Sequence, residues 1–97
     1  MHDLTGFQRD LLYVIAGKDE PHGLAIKADL EDYYETEINH GRLYPNLDAL
    51  VEKGLVKKGH LDDRTNSYTL SQRGDREIAA RREWEDRYLD REDAVPA

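Results

Sequence analysis

Residues 39–70 decide the fold, and they read NHGRLYPNLDALVEKGLVKKGHLDDRTNSYTL. In the first part of this stretch, apolar residues recur every three or four positions, as they do along the buried stripe of a helix. These residues are Leu43, Leu47, Leu50 and Val51. Asn39 is a good capping residue and Gly54 a good stop, so the pattern predicts a helix between them.

The periodicity changes after this helix. Residues 55–61 and 67–70 are short stretches with strand character, and they flank the polar loop 62–66, which reads DDRTN. This arrangement predicts a two-stranded hairpin with a charged tip. Three helices followed by such a hairpin are typical of the winged helix-turn-helix, in which the third helix, here the one after Asn39, enters the DNA major groove and the hairpin forms the wing.

Three further helices complete the prediction. Thr5 can cap a first helix that runs to Gly17, a second helix covers residues 22–34, and Ser71 can cap a long last helix. The buried face of the second helix is predicted to carry Ile26, Leu30, Tyr33 and Tyr34. We therefore predict an α+β fold that is mostly α: a winged helix-turn-helix over residues 1–70, a C-terminal helix over 71–90 and a flexible tail over 91–97.

Composition limits the possible classes of protein. The chain has 97 residues, of which 38% are hydrophobic and 36% charged, which suits one small domain with little apolar material to spare. We find no apolar run long enough for a membrane span and no signal segment, so we expect a soluble cytoplasmic protein. The absence of cysteine excludes disulfides, thiol redox sensing and cysteine-based zinc sites.

The net charge of −7 at first argues against a nucleic-acid partner. The charges are unevenly distributed, however, because residues 40–82 hold nine Lys or Arg against six acids, whereas residues 1–39 hold three against nine. Many acidic residues with only five Lys are also typical of proteins from salt-loving archaea. On this interpretation the net charge reflects the habitat of the organism, and the basic residues 40–82 remain available for binding DNA.

The predicted third helix carries side chains that can read bases. Arg42, Asn46, Ala49 and Lys53 are expected opposite its leucine stripe, with Gly41 and Ala49 small enough for close approach. Arg can bond guanine bidentately and Asn can do the same to adenine. The alternative is that these side chains form an ordinary solvated face. For Tyr44, packing and contact with phosphate are both open.

The sequence resembles the PadR-like family of transcriptional regulators. The motifs that carry the resemblance are HGLAIK at residues 22–27, GRLYPNLDAL at 41–50, EKGLV at 52–56 and YTLS with RG at 68–74. Together with the acidic composition, the motifs are nearest to short haloarchaeal members implicated in stress-responsive gene regulation. Two departures from the family are the two acids at the wing tip, which leave phosphate contact there mainly to Arg64, and a last helix too short for a ligand-binding C-terminal domain.

The resemblance implies a homodimer, built from the first and last helices, that binds double-stranded DNA at a pseudo-palindromic operator. The expected DNA-contacting residues are Lys27, Asn39, His40, Gly41, Arg42, Tyr44, Pro45, Asn46, Ala49, Arg64, Thr65 and Asn66. The expected dimer interface comprises Leu4, Phe7, Leu11, Ile78, Ala80, Trp84, Tyr88 and Leu89. An effector, if one exists, would use the dimer interface.

Other functions have less support. A winged helix used for protein interaction would exploit the acidic first 39 residues, and it would be favoured by an exposed apolar patch on the third helix. The sequence gives no support for an enzyme, because it shows no nucleophile beside a base, no phosphate-binding loop and no zinc signature. The four histidines lack metal-ligand spacing, so we expect neither a metal nor a cofactor.

Overall fold

The computed structural model describes residues 1–89. The elements are α1 (Gly6–Gly17), α2 (Gly23–Tyr34), α3 (His40–Glu52), β1 (Val56–His60), β2 (Asn66–Leu70) and α4 (Gln72–Leu89). The predicted order of four helices and one hairpin is confirmed. The predicted flexible tail, residues 91–97, lies outside the described residues. None of the described helices combines the length and the apolar character that crossing a bilayer requires.

Side-chain caps fix where the first three helices begin. Thr5 forms a capping box with Gln8, in which each side chain accepts a hydrogen bond from the other residue's backbone N–H. His22 Nδ1 accepts from the backbone N of Ala25 at 2.9 Å, and Asn39 Oδ1 accepts from that of Arg42 at 2.8 Å. Each cap satisfies a donor that the first helical turn would otherwise leave unpaired.

The hairpin is antiparallel and is tied to the start of α2. Val56 pairs with Leu70 at one end of the ladder and His60 with Asn66 at the other. The backbone N of Tyr68 donates to the Pro21 carbonyl at 3.0 Å, and an isolated bridge joins His22 to Ser67. The base of the wing is therefore held against the N-terminal end of α2.

One core joins α1, α2, α3 and the hairpin. Its buried hydrophobic residues are Leu4, Phe7, Leu11, Leu12, Ile15, Ile26, Leu30, Ile38, Leu43, Leu47, Leu50, Leu55, Val56 and Tyr68. Burying each large side chain stabilises the fold by about 1.5–3 kcal/mol.

Two predictions about apolar residues are wrong. Leu4, Phe7 and Leu11 were expected at the dimer interface, but they are buried in the core of the single chain, because α1 directs its apolar stripe at α2, α3 and β2. They have almost no surface to offer a partner. Tyr33 was expected on the buried face of α2, but it is 76% exposed, whereas its neighbour Tyr34 packs against the core.

A partly buried hydroxyl links α1 to α2. The Tyr34 hydroxyl donates to the carboxylate of Asp10, and its ring packs near Phe7 with centroids 6.2 Å apart. Partial burial and then the bond to Asp10 raise the pKa of Tyr34 to about 12. Tyr34 therefore remains a neutral donor across the physiological pH range.

The base of α4 packs directly on the end of α3. Ser71 accepts from the backbone N of Gly74 at 3.0 Å and donates from its hydroxyl to the Gly54 carbonyl at 2.6 Å. The backbone N of Ser71 donates to the Leu55 carbonyl at 3.0 Å. Gly54 has φ of +76°, a left-handed conformation that glycine adopts without strain. Ser71 therefore caps α4, as predicted, and also fixes its direction.

Candidate nucleic-acid interface

A carboxylate on α2 binds the backbone of the loop that leads into α3. Glu31 Oε2 accepts from the backbone N of Ile38 at 2.7 Å and from Lys27 Nζ at 2.8 Å. The hydrogen bond from Lys27, followed by that from Ile38, lowers the pKa of Glu31. Lys27 was expected to contact DNA, but its amine is engaged by Glu31 and its side chain is only 21% exposed. Lys27 therefore has a structural role, because it binds the carboxylate that holds the backbone at Ile38.

One edge of α3 faces α1. The Arg42 guanidinium lies over the Phe7 ring, 4.0 Å from its centroid. Asn46 donates to the Arg42 carbonyl at 2.7 Å, and its Oδ1 accepts from Gln8 Nε2 at 3.0 Å. Lys53 Nζ lies 3.3 Å from Asp3 Oδ2. Arg42, Asn46 and Lys53 therefore flank the leucine stripe on its α1 side, and the prediction that they lie opposite the stripe is wrong.

The face of α3 opposite the stripe carries different residues. Gly41, Pro45, Asp48 and Glu52 follow one another at three- and four-residue intervals, and all four are exposed. Ala49 is half-buried beside them. We call Gly41, Pro45, Asp48 and Glu52 the outward face of α3. Among the described residues, none of the large hydrophobic side chains that are exposed lies on α3.

A groove separates α3 from the wing. It has a volume of about 360 Å³ and is lined by His22, Gly23, Leu24, Tyr44, Arg64, Thr65, Asn66 and Tyr68. A Cβ at Gly23 would lie 2.7 Å from the Tyr44 hydroxyl, so the glycine allows this tyrosine to lie against the first turn of α2. Tyr44 also meets His40 edge to face, with ring centroids 5.6 Å apart. The groove thus brings together residues of α2, α3 and the wing that the sequence keeps far apart.

The wing tip is shaped by its first acid. Asp62 Oδ1 accepts from the backbone N of Arg64 at 2.9 Å, and this bond is the main cause of the lowered pKa of Asp62. The Leu61 backbone N donates to the Thr65 carbonyl at 2.8 Å. The Arg64 side chain remains exposed. At least one wing acid is therefore part of the turn that presents Arg64.

An apolar surface remains on α4. Ile78 packs against the core, but Ala80 is exposed, as are Trp84 (43%), Tyr88 (66%) and Leu89 (68%). The Trp84 and Tyr88 rings pack together with centroids 5.1 Å apart, and the Arg81 guanidinium lies 4.5 Å from the Trp84 ring centroid. We call Ala80, Trp84, Tyr88 and Leu89 the α4 surface.

Sequence reasoning missed two residues of this region. Gln8 was not singled out, although it bonds Asn46, and Asp48 was not singled out, although it lies on the outward face. The capping motif of Thr5 and Gln8 could have indicated the position of Gln8, but its second bond spans 38 residues and has no local signal. Helical spacing could have placed Asp48 on the outward face, since it follows Pro45 by three residues and Gly41 by seven.

Three helices with a wing beside the third, followed by a fourth helix, define a winged helix-turn-helix protein. Residues 11–80 match the model of the transcriptional regulator PadR-like family. The chain belongs to this family of transcriptional regulators. The prediction that it is a regulator and not an enzyme agrees with the family.

Solved structures agree with this assignment. The structure of H. salinarum RosR grown from NaBr is 48% identical to this chain and has a TM-score of 0.85. The match covers 98% of this chain and 82% of the RosR chain. The complex structure of hsRosR-S1 is 52% identical over 90% of this chain and 77% of that chain, with a TM-score of 0.85. The predicted similarity to haloarchaeal members is thereby confirmed. A search of curated protein sequences found no match.

Proposed function

We propose that the chain binds a specific DNA sequence as a homodimer, with α3 in the major groove and the wing against the adjacent backbone. The observation that carries the proposal is the outward face of α3, which is exposed along its length. It lies beside Tyr44, the residue of α3 that lines the groove between α3 and the wing. In winged helix-turn-helix proteins the corresponding face reads the bases. Membership of the PadR-like family of transcriptional regulators supports the same role.

The proposed contacts differ between α3 and the wing. Gly41, which has no side chain, permits close approach of the α3 backbone to base edges, and Pro45 lies on the same outward face. Arg42 and Asn46 contact the DNA from the α1 side of the helix. Arg64 at the exposed wing tip is suited to phosphate or the minor groove, because it is positively charged and lies on the hairpin that flanks the third helix. The remaining proposed contacts are Asn39, His40, Tyr44, Ala49, Thr65 and Asn66.

The location of the exposed apolar residues favours DNA binding over a role as a protein-interaction module. Such a module would be favoured by an apolar patch on α3, and the large exposed hydrophobic residues of the described chain lie elsewhere. We further propose that the protein acts in the cytoplasm on genes that respond to stress. That part rests on the resemblance to haloarchaeal members.

The homodimer is proposed to form through the α4 surface. Beyond Ile78, α4 buries none of its described residues, and an exposed tryptophan beside an exposed tyrosine leaves apolar area for a partner to cover. In a two-fold dimer the same patch is buried on both protomers, so each side chain contributes twice. Two recognition helices would then face a pseudo-palindromic operator.

Trp84→Ala is expected to shift the chain toward monomer. Losing one large apolar contact from each protomer costs roughly 3–6 kcal/mol per dimer, which raises the dimer Kd by about a hundredfold or more. Sedimentation equilibrium over a range of concentrations measures the change. Glu83→Ala, at an exposed neighbouring position, is the matched control and should dimerise like the unmodified chain. A dissociation constant unaffected by Trp84→Ala would place the interface elsewhere.

Selection from a random duplex pool tests the proposed function. The purified chain is incubated with the pool, and the bound fraction is sequenced after several rounds. We expect an enriched sequence with two inverted half-sites whose centres lie about 10 base pairs apart, one helical turn, or a multiple of that spacing. A bound fraction with the composition of the input pool would contradict sequence-specific binding, and a single half-site would contradict the dimer.

A further inference from the structure

The outward face of α3 has an unexpected chemical character. Of its four residues, Gly41 and Pro45 have no side-chain group that can hydrogen-bond, and the other two, Asp48 and Glu52, are acids. An ionised carboxylate only accepts hydrogen bonds. If this face meets DNA, its own polar side chains can recognise only donors on the base edges.

Asp48 is the more central of the two acids and forms an ion pair with the wing. Its side chain is 61% exposed, and its Oδ1 lies 3.6 Å from Nζ of Lys58 on β1. The ion pair joins the outward face of α3 to β1 of the wing. Tyr68, a buried residue that lines this groove, has a raised pKa, first because of burial and then because of the Asp48 charge.

The base edges differ in what they offer to a carboxylate. In the major groove, cytosine presents the amino group N4 as a donor, whereas guanine presents the acceptors N7 and O6. Thymine presents the acceptor O4, and adenine places the acceptor N7 beside its amino group. A carboxylate therefore favours cytosine and is repelled most strongly by guanine.

We propose that Asp48 is a specificity-determining residue that accepts a hydrogen bond from the N4 amino group of a cytosine in each half-site. The inference rests on the proposed function, because it requires α3 to lie in the major groove. Lys58 supplies the counter-charge, which reduces repulsion between the carboxylate and the DNA phosphates. Without a donor to meet, an acid at this position would only weaken binding.

Substitution of Asp48 should alter base preference at one position of each half-site. Asp48→Ala should reduce the discrimination between cytosine and the other bases there by about tenfold or more, the effect of losing a bond to a charged acceptor. Asp48→Asn should transfer the preference to adenine, because an amide can bond both N6 and N7. Preferences at the other positions should stay as they are.

The test measures the affinity of each variant for the selected duplex and for every single-base variant of it, with folding checked by circular dichroism. Asp32→Asn is the matched control, since it also removes one negative charge, at an exposed position on α2, and it should leave the preference at the Asp48 position unchanged. Equal tightening on all duplexes by Asp48→Ala and Asp48→Asn, without a change of base preference, would overturn the inference. Failure of the unmodified chain to prefer any duplex would instead contradict the proposed function.

Discussion

Gly74→Ala is expected to destabilise the folded chain by about 3 kcal/mol or more, the upper range for overpacking. A Cβ at this position would lie 2.2 Å from the carbonyl oxygen of Leu55. Both atoms belong to the backbone or are fixed to it, so neither can rotate away. The Leu55 carbonyl also accepts the hydrogen bond from Ser71 that begins α4. Relief of the clash would therefore require α4 to move away from the end of α3.

Thermal unfolding followed by circular dichroism measures this effect. For a domain of this size, a loss of 3 kcal/mol lowers Tm by more than about 10 °C. Gly17→Ala is the matched control, because a Cβ at Gly17 would meet nothing within 4 Å. The control should melt within a few degrees of the unmodified chain. Similar Tm values for the two variants would mean that α4 does not pack on Leu55 in this way.

Local signals in the sequence were sufficient for the secondary structure. Thr5, Asn39 and Ser71 were predicted as caps, and each accepts the expected backbone hydrogen bond. Gly54 was predicted as the stop of α3 and has the positive φ that such a stop adopts. Caps, stops and apolar spacing act within a few residues of one another, so the sequence displays them directly.

Contacts between distant residues account for the errors. The spacing of Leu4, Phe7 and Leu11 identifies an apolar stripe but not the surface that covers it, and the family resemblance assigned this stripe to a dimer. Lys27 is an error of another kind, because Glu31 binds it from one turn later on the same helix, a spacing that is visible in the sequence. Tyr33 and Tyr34 are adjacent on α2, and the positions of Phe7 and Asp10 on α1 distinguish the one that packs against the core.

The same limitation applied to the candidate DNA interface. Arg42 and Asn46 suit base reading by type, and the sequence could not show that Phe7 and Gln8 contact them. The groove depends on Gly23, Tyr44 and Arg64, which belong to three separate elements. The sequence therefore indicated α3 as the candidate interface, but the direction of each side chain became clear only from the fold.

Pro45→Glu is expected to abolish specific binding while leaving the fold intact. Pro45 lies on the outward face of α3 and is exposed. Proline removes a backbone donor inside this helix, so its replacement by a good helix former restores a hydrogen bond. The new carboxylate would face the acceptors and phosphates of the DNA, and such juxtaposed like charges cost several kcal/mol. Affinity for the selected duplex should fall by about a hundredfold or more.

Affinity of this variant for the selected duplex, measured by fluorescence anisotropy, tests most directly the claim that α3 presents its outward face to DNA. Ala28→Glu adds the same charge at an exposed position on α2 and is the matched control. The account predicts that Pro45→Glu loses specific binding and that Ala28→Glu retains it, with both variants folded. Binding of Pro45→Glu as tightly as the unmodified chain would contradict the account.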